Sequence, residues 1–139
     1  MHTFTTDHAE TRTISIAAPR SAVLEVVGDP RRLPDWAPEF AKAVKADGDD
    51  WLIDTGAGEL RLRIAVDLVC GTVDLLRPPS LTQGAFIRVV HNNEGSECIF
   101  TLFFPDGTDE AAVAKQMATV EEELRTVRSL CEQPSSLAA

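Results

Sequence analysis

The chain of 139 residues contains no tyrosine. A tyrosine hydroxyl is a common polar group in apolar pockets, so this donor and acceptor is not available to a site in this chain. This deficit argues against an enzyme. The chain is 44% apolar and 25% charged, which is typical of one soluble globular domain.

Positive charge is also scarce. There are 13 Lys and Arg residues against 22 Asp and Glu residues, which gives a formal net charge of -9 and a pI near 4.7. Because a surface of this sign repels phosphate, we expect neither nucleic acid nor an anionic membrane surface as a partner. The basic pairs Arg31-Arg32 and Arg61/Arg63 are interpreted as solvated surface charge.

Long hydrophobic runs are missing as well. No uninterrupted apolar stretch approaches the ~20 residues that a membrane span needs. The N-terminal segment, MHTFTTDHAETR, lacks the basic and apolar pattern of a signal peptide. The sequence therefore predicts a cytoplasmic protein with no membrane span.

Cysteine is limited to Cys70, Cys98 and Cys131. An odd number of widely spaced cysteines fits reduced thiols, and each falls in register with an apolar stripe, which predicts small buried side chains. Catalysis by a cysteine and a histidine is the alternative, and it would need His91 beside one of them in a polar setting.

Histidine is equally rare, and the three residues are His2, His8 and His91. The sequence shows no H-x-x-x-H or C-x-x-C spacing and no pairing of carboxylates with histidine that would suit a metal ion. We therefore expect neither a metal nor another cofactor.

The segment from 11 to 40, TRTISIAAPRSAVLEVVGDPRRLPDWAPEF, combines a strand with two short helices. Ile14 and Ile16 alternate with small polar residues, as in a strand with one buried face. Pro19 suits the first position of a helix, and Gly28 predicts a left-handed residue at its end. Asp29 is expected to cap a second short helix that begins with Pro30.

The middle of the chain has the period of two that indicates β-strands. It is clearest from Leu60 to Cys70, where every second residue is apolar. Turn residues separate the remaining predicted strands, which are Val44 to Ala46, Trp51 to Thr55, Thr72 to Leu76, Thr82 to His91 and Ser96 to Phe104.

After Pro105 the period changes to that of a helix. Apolar residues at 113, 117, 120, 124, 127 and 131 form one stripe, which predicts a helix from about Asp109 to Cys131 with Thr108 as its cap. At 1.5 Å per residue this helix is about 34 Å long, enough to cross a curved antiparallel sheet.

This order of elements resembles the SRPBCC superfamily, the helix-grip proteins that include the polyketide cyclase/dehydrase, START-like and Bet v 1-like families. The resemblance is carried by ISIAAPRSAVLEVVGDPRRLPDWAPEF and by the long C-terminal helix. It predicts an α+β fold with one helix-grip domain over residues 11–131. Residues 1–10 are then an N-terminal tail or strand extension, and residues 132–139 a flexible tail.

The resemblance also implies a deep pocket for polyketides, aromatic compounds, lipids or similar apolar molecules. The same apolar stripe of the long helix is equally expected of a filled core, so the pocket wall is a hypothesis. Its residues are Trp36, Phe40, Leu62, Ile64, Val66, Phe100, Leu102, Val113, Met117 and Val120.

Two polar residues of the Thr82 to His91 segment are the candidate catalytic groups. Arg88 and His91 have opposite parity in the strand, so only one of them can enter the pocket. His91 could act as an acid or base near neutral pH, whereas Arg88 could hold a carboxylate or enolate.

Two classes of function follow. The first is a binder of an apolar small molecule, with a cyclase or dehydrase as its close variant. The second is an interaction protein whose groove holds another polypeptide and whose acidic surface meets a basic partner. A homodimer or another protein partner is compatible with either class.

Overall fold

The structure is a computed structural model that describes residues 2–133. Within this range, one seven-stranded sheet is combined with three α-helices and a short 3-10 helix. In chain order the elements are β1 (His8–Ile16), α1 (Arg20–Val27), the 3-10 helix (Pro30–Arg32), α2 (Leu33–Trp36), β2 (Ala43–Asp47), β3 (Asp50–Asp54), β4 (Glu59–Asp67), β5 (Thr72–Leu76), β6 (Gly84–Asn92), β7 (Gly95–Phe104) and α3 (Glu110–Glu132).

The sheet is antiparallel throughout, in the order β1-β7-β6-β5-β4-β3-β2. Strands β2 to β7 follow one another in space as they do in the chain, and β1 is added at the far edge beside β7. The curved sheet surrounds α3, which packs mainly against β1, α1 and α2. This is the helix-grip fold, and the predicted fold class is confirmed.

The first strand begins at His8, so part of the region before residue 11 is a strand extension. At the other end, α3 continues to Glu132. The predicted flexible tail, 132–139, lies outside the described residues from position 134 onward.

The segment between β1 and β2 follows the expected pattern with two differences. Asp29 caps the 3-10 helix as predicted, because its Oδ1 accepts a hydrogen bond from the Arg31 backbone N–H at 3.0 Å. Pro19 is the N-cap of α1, one position before the helix. The left-handed conformation predicted for Gly28 is wrong, since its φ is -92°. Glycine is needed there for space: a Cβ would lie 2.6 Å from the Leu24 carbonyl oxygen.

The long alternating strand ends earlier than its sequence pattern. Strand β4 stops at Asp67, whose carboxylate accepts hydrogen bonds from the backbone N–H groups of Val69 and Cys70 at 3.0 and 2.9 Å. These bonds turn the chain out of the sheet. Leu68 and Cys70 are therefore exposed, and the expectation that Cys70 is buried is wrong.

Helix α3 matches the predicted range to within one residue at each end. The predicted cap is wrong, because the Thr108 hydroxyl donates to the Pro105 carbonyl oxygen and Asp109 occupies the N-cap position without a side-chain cap. The predicted stripe does face inward, and Met117, Val120 and Val127 are almost inaccessible. Among the described residues, no helix has the length and apolarity that crossing a membrane requires.

The three thiols should differ sharply in reactivity. Cys70 is exposed, Cys131 is half-buried, and burial raises the pKa of the Cys98 thiol to about 12. We expect one fast reaction with a disulfide reagent such as Ellman's reagent at pH 8 in the native protein, because only the thiolate attacks. Cys70→Ser should remove that phase and Cys98→Ser should leave it intact. A fast phase that survives Cys70→Ser would contradict this assignment.

Candidate functional site: a cleft between the sheet and the long helix

A partly open cleft of about 920 Å³ lies between α3, the α2 region and the inner face of the sheet. Helix α3 packs mainly toward β1, α1 and α2 and makes little contact with β4 to β6, so a space is left between α3 and this part of the sheet. The floor of the cleft is apolar and consists of Leu60, Leu62, Leu75, Phe100 and Leu102.

One wall comes from α2 and the residues after it. Leu33, Trp36, Ala37 and Phe40 line this side, and the Trp36 ring meets Phe100 edge-on with 6.4 Å between ring centroids. Trp36 is only 2% exposed, and its indole N–H has no hydrogen-bond acceptor among residues 2–133. Buried N–H groups are almost always bonded, so this donor is an exception within the fold.

The opposite wall is a face of α3. Ala112, Lys115, Gln116, Thr119 and Glu123 line the cleft, at spacings of three and four residues that place them along one side of a helix. This face of α3 is next to the buried apolar stripe. The cleft therefore runs along the helix, beside the line where α3 is in contact with the rest of the fold. Most of these side chains are exposed, but Glu123 is not.

Glu123 is a carboxyl group in an apolar setting. It is 8% exposed and lines the cleft, and burial, followed by the neighbouring charge of Glu39, raises its pKa to about 7. No hydrogen bond or ion pair with another described residue offsets the loss of water. A buried carboxyl that titrates near neutral pH in a cleft is a common mark of a functional site.

Half of the predicted pocket wall lines this cleft. Trp36, Phe40, Leu62, Phe100 and Leu102 do so, whereas the others lie elsewhere in the fold. Met117 and Val120 are buried in the core below the cleft-facing side of α3, and Val113 and Ile64 are half-buried outside the lining. Val66 is 38% exposed and lies against Gly28 at the other end of β4.

The two candidate catalytic residues are not brought to the cleft. The Arg88 guanidinium donates to the Asp74 carboxylate at 2.7 Å, on the face of the sheet opposite the core residues Ile87 and Val89. His91 has the inward parity but is exposed near the end of β6, opposite Ser96. Catalysis by either residue would need a site other than the cleft, and it stays a prediction.

Sequence reasoning missed Glu123, Glu39 and the basic residues Arg77 and Lys115 of the cleft lining. A signal for Glu123 was present, because it stands three residues after Val120 and four before Val127 and so shares their side of the helix. Glu39, Arg77 and Lys115 are charged residues without a distinctive sequence pattern, and only the fold shows that they border a cleft.

No family model and no curated protein sequence matches this chain. Solved structures do match its fold. The XoxI protein from Bacillus cereus is 17% identical with a TM-score of 0.71, over 88% of this chain and 94% of that one. The Aha1 dimer from Colwellia psychrerythraea is 13% identical with a TM-score of 0.69, and the match covers 93% of this chain and 99% of that one.

A further match is Ara h 8.0201, which is 11% identical with a TM-score of 0.60, over 88% of this chain and 95% of that one. It is a Bet v 1-like structure. At these identities the likenesses establish the fold, in agreement with the resemblance seen in the sequence.

Proposed function

We propose that this protein binds an apolar small molecule in the cleft between the sheet and α3. The observation that carries the proposal is the cleft itself, about 920 Å³ in volume and floored by aliphatic and aromatic side chains. Small-molecule sites have volumes of roughly 300–1,000 Å³ and are mostly apolar with a few polar groups. Glu123 is one of the polar groups of this lining.

The floor of the cleft can supply the affinity. A ligand that covers roughly 180 Å² of apolar surface in the cleft gains about 4.5 kcal/mol at ~25 cal/mol per Å². Loss of translational freedom opposes this gain, while contacts of the ligand's own apolar surface add to it. We therefore expect dissociation constants in the micromolar range for well-fitting ligands.

The resemblance to the SRPBCC superfamily supports the same proposal, and membership of that superfamily is part of it. Cyclase or dehydrase activity is a variant in which the cleft holds a flexible chain in a reactive shape. That variant requires a polar group at the ligand. Glu123 is the buried carboxyl of the cleft lining, whereas Arg88 and His91 lie away from it.

Filling the cleft should abolish binding. Ala112 is exposed and lines the cleft, so Ala112→Trp places an indole in the ligand's space without disturbing the core. With the neutral fluorescent probe N-phenyl-1-naphthylamine, we expect micromolar binding to the parent protein and a loss of at least about tenfold in the variant, which corresponds to 1.4 kcal/mol. Fluorescence titration measures both.

The matched control is Ala111→Trp, which adds the same side chain to an exposed position outside the cleft lining. It should leave the affinity unchanged. The alternative function is a groove for a polypeptide or for a second copy of the chain. The second copy is suggested by the structural similarity to the Aha1 dimer. It is favoured if no probe binds and sedimentation shows a dimer that Ala112→Trp, but not Ala111→Trp, dissociates.

A further inference from the structure

The α2 end of the cleft carries two carboxyl groups from separate parts of the chain. Glu123 comes from α3, and Glu39 comes from the segment that follows α2. Glu39 is exposed, whereas Glu123 is only 8% exposed and forms no hydrogen bond or ion pair with any residue from 2 to 133. The arrangement leaves a buried negative group without a positive counterpart.

No positive charge of a described residue near this end forms an ion pair with Glu39 or Glu123. Lys42, three residues after Glu39, donates its ammonium to the Pro38 carbonyl oxygen at 2.7 Å. On the elements packed against α3, Arg32 is paired with Asp35, and Arg12 is paired with Glu10 and Glu121. The remaining charged residues of the cleft lining are Asp7, Arg77 and Lys115.

Distance separates Lys115 from Glu123. The two residues are eight positions apart on α3, which is about 12 Å along the helix axis. The Lys115 ammonium forms no ion pair with Glu123, and the neighbouring charge that shifts the pKa of Glu123 is that of Glu39.

Aromatic residues line the same end of the cleft. Trp36 and Phe40 line it from the α2 side, and Phe100 lines it from the sheet. The faces of aromatic rings attract ammonium groups, most strongly where water is excluded. A metal ion would need about six oxygen ligands, so two carboxylates among aromatic and aliphatic groups suit a weakly hydrated organic cation better.

We propose that this end of the cleft binds the ammonium group of an amphipathic organic amine, with Glu123 as its counter-ion and Glu39 as a second negative charge. The apolar body of the amine lies along Leu62, Phe100 and Leu102. This inference rests on the proposed function, since it concerns the polar end of a ligand held in the same cleft. The net charge of -9 favours the approach of a cation over that of an anion.

The protonation state of Glu123 makes the proposal testable. Its pKa of about 7 in the empty cleft means that it is mostly protonated at pH 6 and mostly ionised at pH 8. An ammonium ligand pairs with the ionised form and competes with the proton. Its affinity should therefore rise by up to about tenfold between these pH values, as the ionised fraction does.

The experiment compares two probes with one apolar body, 2-naphthylmethylamine and 2-naphthylmethanol, by isothermal titration calorimetry at pH 6 and pH 8. For the parent protein we expect the amine to bind at least about tenfold more tightly than the alcohol at pH 8 and to lose most of this advantage at pH 6. Glu123→Gln should abolish the preference for the amine and its pH dependence while keeping the affinity for the alcohol. Glu122→Gln, an exposed neighbour on α3, should change neither.

Three results would overturn the inference. If the alcohol binds and the amine is no tighter at pH 8, the ligand site stands but it is not a cation site. If the alcohol binds more tightly at pH 6 and Glu123→Gln weakens it, protonated Glu123 and the Trp36 N–H donate to an acceptor oxygen instead. If neither probe binds at either pH, and N-phenyl-1-naphthylamine also fails, the proposed function falls together with the inference.

Discussion

Glu123→Gln is expected to raise the free energy of unfolding by about 3 kcal/mol at pH 8.5 and by only about 1 kcal/mol at pH 5.5. Burial and the charge of Glu39 raise the pKa of Glu123 from 4.5 to about 7. Between these values the folded protein holds a proton that the unfolded chain has already lost. The contribution of Glu123 to stability is therefore complete below pH 4.5 and is lost as the pH rises through 7. Glutamine stays neutral and does not incur this loss.

Urea unfolding at the two pH values measures the effect. The informative quantity is the difference between them, about 2 kcal/mol, because it does not depend on how well the amide packs. Glu122→Gln serves as the control, since Glu122 is exposed on the same turn of α3. Parallel pH profiles for the parent protein and Glu123→Gln would show that Glu123 ionises in the folded protein as it does in the unfolded chain.

This cost in stability has a counterpart in binding. A carboxyl group that is buried without a partner destabilises the empty protein at alkaline pH, and a cation at the α2 end of the cleft would remove that cost. Ligand binding to the folded state also raises apparent stability by mass action. An amine ligand should therefore stabilise the protein more at pH 8.5 than at pH 5.5, which links the two measurements on Glu123.

The architecture could be predicted because its main signals are periods in the sequence. Strand β5 was predicted at its observed bounds, and α3 to within one residue at each end, since alternation and a stripe of apolar residues at spacings of three and four record which face is buried. The Asp29-Pro30 pair carried its own local signal for a new helix start, and the structure confirms it.

The errors arose where a side chain competes with the periodic pattern. Alternation continues past Asp67, but its carboxylate captures two backbone N–H groups and forces a turn. The Thr108 hydroxyl similarly bonds backward to Pro105 instead of capping α3. Such local hydrogen bonds compete with regular structure.

The cleft could be predicted only in outline. Five of the ten proposed wall residues line it. For Leu62, Phe100 and Leu102 the reason is that parity in a strand fixes the face of the sheet. Position along the strand matters as well, since Val66 has the same parity as Leu62 but lies at the end of β4. No pattern in the sequence states how far α3 stands from the sheet, and that separation determines whether Glu123 borders a cleft.

Gly71→Ala is expected to destabilise the protein by about 3 kcal/mol or more, since left-handed backbone strain and an overfilled site each cost about 1–3 kcal/mol. Gly71 lies in the turn after β4 with a φ of 73°. A Cβ there would lie 2.3 Å from the Val89 carbonyl oxygen and 2.2 Å from Nη2 of Arg20. The Arg20 side chain donates to the Val89 carbonyl at 3.0 Å and to the Val69 carbonyl at 3.3 Å, so the substitution also disturbs the contact between α1 and the sheet.

Gly48→Ala separates the two causes. Gly48 has a φ of 62° and no atom within 4 Å of a Cβ position, so alanine there should cost only the backbone term of about 1 kcal/mol. In an Arg20→Ala background the overlap with the guanidinium disappears, but the overlap with the Val89 carbonyl remains. Gly71→Ala should therefore still cost more than Gly48→Ala in that background, as measured by urea unfolding. Equal costs for the two alanines would show that the backbone around Gly71 yields freely and that its close packing contributes nothing to stability.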